Sequence, residues 1–159
     1  MGFYLGIDLG TSYFKAGIFD ENGHLRGLGR KALKKETGNG TQCELPVSVF
    51  WDTIRGSIEE AIWKSGIRSP ELKAVSYSSQ ANSFILLDYR DKPLIPLILW
   101  PDSRAKSDTL LIENIADSQE FMLKTGIGKN INYEFTISKI KWFQKNKPEL
   151  WRRVKSVLS

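Results

Sequence analysis

The chain has 159 residues, 41% hydrophobic and 26% charged, which is about one domain's length with an ordinary globular balance, so disorder is not expected. A single cysteine, Cys43, and a single histidine, His24, exclude an internal disulfide and a Cys/His metal cluster. The net charge is +5, but residues 1–119 carry 14 Lys/Arg against 15 Asp/Glu while residues 120–159 carry 9 against 3, so the excess reads as one solvated basic face and no nucleic-acid partner is expected.

The chain opens on Met1-Gly2-Phe3-Tyr4, with no basic leader and no long apolar run. No segment approaches the roughly 18 apolar residues of a membrane span. Cytoplasm is the expected compartment, no membrane partner is expected, and the sequon Asn39-Gly40-Thr41 is expected to stay unused.

Residues 4–20, YLGIDLGTSYFKAGIFD, read as two short strands joined by a tight turn. Leu5 and Ile7 lead into Asp8; Gly10, Thr11 and Ser12 make the corner; Phe14, Ala16 and Ile18 carry the chain back to the turn signal Glu21-Asn22-Gly23. The corner offers backbone N–H groups, two hydroxyls and the cation of Lys15, and a glycine lets a bulky anion approach the main chain. Asp8 is a hard oxygen ligand suited to Mg²⁺. The residues alone leave two readings open, a nucleotide-phosphate cradle and an ordinary hairpin in which Asp and Gly satisfy the turn.

Residues 24–34 read as a third antiparallel strand. They contain Gly27-Leu28-Gly29-Arg30-Lys31-Ala32, formally a G-x-G-x-x-A match, but a dinucleotide fingerprint must open a helix and this one runs into the polar loop 36–42. Val47–Ser65 is the clearest helix, with Val47, Trp51, Ile54, Ile58, Ala61 and Ile62 at helical spacing and Gly66 as its stop. Leu72–Ser79 reads as a strand entered from that helix and therefore parallel to the first sheet. Residues 84–87 and 94–100 are further strand candidates around Asp91-Lys92-Pro93, the latter irregular because of Pro96. Helices follow at 111–116, at 119–124 and at about 134–146, the last with Ile137, Ile140 and Phe143 as one face and Phe135 and Trp142 on the other. Pro148-Glu149 opens another helical turn, and Val157-Leu158 the start of an uncompleted strand. The expected architecture is α/β with a mixed sheet: three antiparallel strands, then parallel strands, with helices on both faces.

Four landmarks stand in order along this chain. They are Gly6-Ile7-Asp8-Leu9-Gly10-Thr11-Ser12; Ser78-Ser79-Gln80-Ala81-Asn82 running into Leu86-Leu87-Asp88; Ile98-Leu99-Trp100-Pro101-Asp102-Ser103-Arg104; and Thr125-Gly126 followed by Thr136-Ile137-Ser138-Lys139-Ile140-Lys141-Trp142. With the helix entry Glu44-Leu45-Pro46 and Trp51, their order resembles the amino-terminal domain of the FGGY carbohydrate kinases, which include xylulokinases, gluconate kinases and glycerol kinases. The resemblance covers essentially the whole chain. It implies a ribonuclease H-like (actin-like ATPase) domain and phosphoryl transfer from ATP with Mg²⁺ to a hydroxyl of a sugar or polyol, a small-molecule partner. By resemblance Asp8 is the carboxylate near Mg²⁺ and the γ-phosphate, and Gly10, Thr11, Ser12 and Lys15 are phosphate contacts. Gln80, Ala81 and Asn82 reach the sugar, and Asp102, Arg104, Tyr133 and Glu134 line its site; the alternatives are a solvated strand residue for Lys15, a structural ion pair for Asp102 and Arg104 and a helix cap for Glu134.

Xylulokinases usually show Gln-Met-His and glycerol kinases Gln-Arg-Glu where this chain has Gln80-Ala81-Asn82, a departure that disfavours glycerol more. Family chains are much longer, so the resemblance implies that residues 1–159 are an amino-terminal fragment. Its catalytic-base aspartate and adenine-binding domain would lie beyond Ser159, it would be inactive alone with apolar surface exposed, and the full-length protein is a candidate homodimer. Two other readings remain: a ribonuclease H-like metal-dependent nuclease, which needs carboxylates converging on two metals, and a non-catalytic actin-like nucleotide-binding module.

Overall fold

The computed structural model describes residues 2–38, 40–107, 118–127 and 131–159. In chain order come strands β1 Phe3–Leu9, β2 Tyr13–Asp20, β3 Leu25–Ala32 and β4 Glu44–Leu45, then helix α1 Val47–Ser65. Strands β5 Leu72–Ser79, β6 Ile85–Leu87 and β7 Leu97–Ile98 follow, then helices α2 Gln119–Thr125, α3 Thr136–Asn146 and α4 Pro148–Trp151, and strand β8 Ser156–Leu158. They form two units: Met1–Lys34 with Pro46–Gln80, and Lys35–Leu45 with Ala81–Ser159. The helix expected at 111–116 lies outside the described residues.

The first unit is a four-stranded sheet in the order β3-β2-β1-β5, with β1, β2 and β3 antiparallel and β5 parallel to β1. Strand alternation sends Leu5, Phe14, Ala16 and Ile18 to one face, where α1 packs and Ala61 is fully buried. Each large apolar side chain taken out of water there stabilises the unit by about 1.5–3 kcal/mol. Gly66, left-handed with φ 71°, ends α1 by donating its N–H to the carbonyls of Ile62 and Trp63.

The G-x-G-x-x-A match has a packing explanation. A Cβ on Gly27 would stand 2.2 Å from the Ala61 carbonyl oxygen, and one on Gly29 1.8 Å from that of Ser57. Both glycines exist to let α1 lie directly on β3.

Asp20 closes the β2–β3 turn with a buried side chain. It accepts from the N–H groups of Asn22 and His24 (2.9 and 3.0 Å) and from Arg26 Nε at 2.8 Å. Burial pushes its carboxyl up, but those donors outweigh burial and hold it at about 2. The folded-state value lies below the ordinary ~3.9, so this stabilisation is complete above about pH 4 and is lost as pH falls through about 2. Stability should therefore fall more steeply from pH 4 to pH 2 in the natural chain than in Asp20→Asn; equal slopes in acid unfolding contradict this.

β5 has no outer neighbour among the described residues, and Val75 and Tyr77 on it stand 59% and 73% exposed, which is apolar surface of the kind expected.

The second unit pairs β4 with β7 and β6 with β8, both antiparallel. Its core is Phe84, Leu86, Ile98 and Phe143, with Trp142, Leu150, Trp151 and Val157 packed against it. The strand expected over 94–100 shrinks to Leu97–Ile98, since Pro93 and Pro96 bring no N–H to a ladder. Val157 and Leu158 pair with β6 rather than hanging open.

Of the two apolar faces expected on α3, Phe143 is buried and Phe135, Ile140 and Trp142 are half-buried; Ile137 departs from the expectation. Ile137 is 43% exposed, while Ser138, Lys139 and Phe143 are buried. The buried lysine is tolerated because its Nζ donates to the carbonyls of Trp100 (2.9 Å) and Glu134 (2.7 Å). Burial lowers its pKa to about 8, although Asp102 and Glu134 pull the other way. Of the other basic residues in this quarter, Lys124, Arg152 and Lys155 pair with Glu120, Glu149 and Asp91, as a solvated face would.

Candidate functional site

The corner between β1 and β2 is built by register. Asp8 and Lys15 are cross-strand partners on the sheet face opposite α1, and Lys15 Nζ donates to Asp8 Oδ2 at 2.8 Å. Both side chains are about half exposed, 45% for Lys15 and 51% for Asp8, so their pairing is weak and open to exchange. Ser12 is exposed, and its carbonyl accepts from the Leu33 N–H at 2.9 Å, which ties the corner to the end of β3. A Cβ on Gly10 would lie 3.0 Å from the Tyr13 carbonyl oxygen, a tight approach that glycine avoids. The corner is not packed shut under neighbouring side chains.

β5 brings the second landmark to this corner. Its parallel register sets Ser76 beside Gly6 and Ser78 beside Asp8, and an open groove of ≈ 380 Å³ runs along this face, lined in part by Asp8, Lys15, Ser76 and Ser78. At the end of β5 the Gln80 N–H donates to the Leu9 carbonyl at 3.1 Å, and the Thr11 hydroxyl donates to Gln80 Oε1 at 2.8 Å. Gln80 thus stands at the corner between β1 and β2. Ser76 and Ser78 were missed as groove residues; alternation along β5 points to them once its pairing with β1 is fixed.

Ala81 and Asn82 belong to the second unit. Asn82 has φ 61°, a conformation that asparagine tolerates far better than most residues, so backbone geometry alone accounts for an asparagine here.

Asp102 and Arg104 are corrected from substrate contacts to a buried ion pair. Asp102 is fully buried and the Arg104 side chain is 6% exposed. Arg104 Nε reaches Asp102 Oδ1 and Nη2 reaches Oδ2, both at 2.8 Å, and Nη2 also pairs with Glu44. Oδ2 of Asp102 accepts the Cys43 N–H at 2.8 Å as well. The guanidinium lies 5.4 Å from the Trp142 ring centre and 5.1 Å from that of Phe143. Asp102 and Arg104 are shielded from solvent and Glu44 is partly exposed at the group's edge, so the pair braces the unit from inside.

Tyr133 and Glu134 are both half-buried. Lys106 Nζ sits 5.9 Å from the Tyr133 ring centre. Asn132 Oδ1 accepts the Glu134 N–H at 2.8 Å, and the residue capping α3 is Phe135, so the cap reading of Glu134 does not hold.

Among the described residues no three His, Cys, Asp or Glu side chains gather as a metal cage. Asp8, exposed and paired only weakly with Lys15, is a hard oxygen donor that suits an ion held chiefly by phosphate oxygens and water, as Mg²⁺ is at nucleotide sites. No helix among the described residues is long and apolar enough to cross a membrane.

The model for the FGGY family of carbohydrate kinases, N-terminal domain, matches residues 3–159. A xylulose kinase of Lactococcus lactis is 33% identical over 159 residues, covering 99% of this chain and 31% of its own length. A glycerol kinase of Rhizobium meliloti is 28% identical, covering 91% of this chain and 29% of its own length. Among solved structures, a xylulose kinase from Brucella ovis superposes with a TM-score of 0.86 at 27% identity, over 98% of this chain and 32% of that one. A gluconate kinase from Lactobacillus acidophilus gives 0.83 at 26%, over 99% and 31%. The chain therefore spans about 31% of the length of such relatives.

Proposed function

Because the chain belongs to the FGGY family of carbohydrate kinases, as its amino-terminal domain, we propose that it supplies the phosphate-holding half of an enzyme that moves the γ-phosphate of MgATP to a carbohydrate hydroxyl. The observation that carries this reading is the exposed Asp8–Lys15 pair beside the Gly10-Thr11-Ser12 corner, with Gln80 bonded to that corner. Phosphoryl transfer asks little covalent work of a protein; positioning and neutralising charge dominate. Lys15 supplies the mobile cation, the corner and Ser12 the short-range donors, and Asp8 the carboxylate for Mg²⁺, which when bound neutralises charge on the phosphates.

A ketopentose such as xylulose is the favoured acceptor. Xylulose kinases and glycerol kinases both recur among the relatives; Ala81-Asn82 departs from the Met-His of the first, but it lacks the charged Arg-Glu of the second. The base that takes the acceptor proton and the adenine site are assigned to sequence outside residues 1–159. The cytoplasm is the compartment that supplies MgATP. A nuclease reading has no observation in its favour.

Coupled ADP-release measurements with D-xylulose, D-gluconate and glycerol test the proposal. The 159-residue chain alone should show no sugar-dependent turnover. A chain that continues into a carboxy-terminal kinase domain should turn over the ketopentose, and Asp8→Asn should lower its kcat by roughly 100-fold or more. Unchanged turnover in that variant refutes the assignment of Asp8.

A further inference from the structure

Thr11 is placed among the phosphate contacts by resemblance, yet its hydroxyl proton is spent on Gln80 Oε1 at 2.8 Å. A threonine hydroxyl has one proton to give, so in this arrangement it offers a phosphate oxygen none. Its partner is 69 residues away in sequence and is also tied to β1 through its own N–H and the Leu9 carbonyl. A primary amide has an acceptor end and a donor end. With Oε1 held against Thr11, the Nε2 donors point away from that hydroxyl, and Gln80 Nε2 makes no hydrogen bond among the described residues.

Resting on the kinase reading above, we infer that Thr11 is a positioning residue: its hydroxyl holds the Gln80 carboxamide in place at the corner, with Oε1 inward, so that Gln80 meets the carbohydrate with its Nε2 donors. A glutamate at position 80 would keep the bond to Thr11 and lose the donors. A valine at position 11 would keep the shape of the corner and free the amide to turn over.

The test uses side-chain ¹⁵N relaxation of the Gln80 amide in the unliganded 159-residue chain, which involves neither nucleotide nor sugar. The natural chain and Thr11→Ser should show an ordered amide. Thr11→Val should drop its order parameter to the flexible range, below ~0.6, with the backbone amide spectrum elsewhere reporting an intact fold. An unchanged amide in Thr11→Val, or a Thr11→Ser variant as mobile as Thr11→Val, overturns the inference. D-Xylulose titrated with MgADP into a chain that continues into a carboxy-terminal kinase domain then reads the donor role. Thr11→Val should bind roughly 3–10-fold more weakly, Thr11→Ser should recover, and Gln80→Glu should lose at least as much as Thr11→Val. Gln80→Glu binding like the natural chain overturns the donor role. Relaxation behaving as expected with no response to D-xylulose supports the Thr11–Gln80 bond and counts against the substrate reading instead.

Discussion

Gly29→Ala is expected to unfold the β1–β2–β3–α1–β5 unit or cost it more than about 3 kcal/mol, the upper range for overpacking. Strand propensity alone predicts the opposite sign, since alanine in place of glycine within a strand gains about 0.5–1 kcal/mol. Steric contact decides. The new Cβ would sit 1.8 Å from the Ser57 carbonyl oxygen and 2.8 Å from its carbonyl carbon. Both are backbone atoms inside α1, so no side chain can swing aside; the helix must lift off β3, giving up contacts around Ala61 and Ile58. Gly56→Ala is the control. That Cβ would meet only the flexible Lys31 side chain, at 3.5 Å, so this helix-interior change should stabilise by up to about 0.8–1 kcal/mol. Urea unfolding followed through Trp51 and Trp63, the two tryptophans of this unit, reads both. Gly29→Ala matching the natural chain would overturn the packing account.

The second large effect belongs to Arg104. Arg104→Met should destabilise the unit holding Phe84, Leu86, Ile98 and Phe143 by about 3–5 kcal/mol, the cost of leaving a buried charge without its partner. Methionine replaces much of the arginine's apolar stem. What it cannot replace is the pair of hydrogen bonds to the buried carboxylate of Asp102, which would retain the N–H groups of Cys43 and of residue 104. Asp102→Asn in the Arg104→Met background should recover part of the loss, because a neutral amide costs less to bury than a carboxylate. Simple additivity of the two single changes in unfolding experiments contradicts a shared bond. The same experiment separates a brace from a substrate contact, since a residue that only touched sugar would leave the unliganded stability unmoved.

How much was legible in the sequence depended on the range of the interaction that decides each element. The hairpin, α1 and β5 are set by local signals: alternation in Phe14, Ala16 and Ile18, the helical stripe through Ile58 and Ile62, the stop at Gly66. Their boundaries came out of the pattern, and the parallel pairing of β5 followed from the crossover through α1. The strand over 94–100 was overread because its apolar run is long, while two prolines cap what can pair. On α3 hydrophobicity singles out Ile137, which stays exposed, whereas burial of Lys139 is decided by two carbonyls, one of them 39 residues away at Trp100. Asp102 and Arg104 carried a motif, but a motif does not say whether a charged pair faces a ligand or itself; that needed Glu44, Cys43 and Trp142 in place. The Thr11–Gln80 bond was equally out of reach, since nothing local joins a turn to a residue 69 positions on.

The central claim is that the corner after β1 holds the phosphates of a magnesium nucleotide. An amide NMR titration of the 159-residue chain with MgATP tests it most directly. The account predicts saturable shifts centred on Gly10, Thr11, Ser12 and Lys15, weakened in Lys15→Met and dependent on Mg²⁺ in the natural chain but not in Asp8→Asn. Shifts that gather on another surface of the folded chain, or that survive Lys15→Met unchanged, would contradict it.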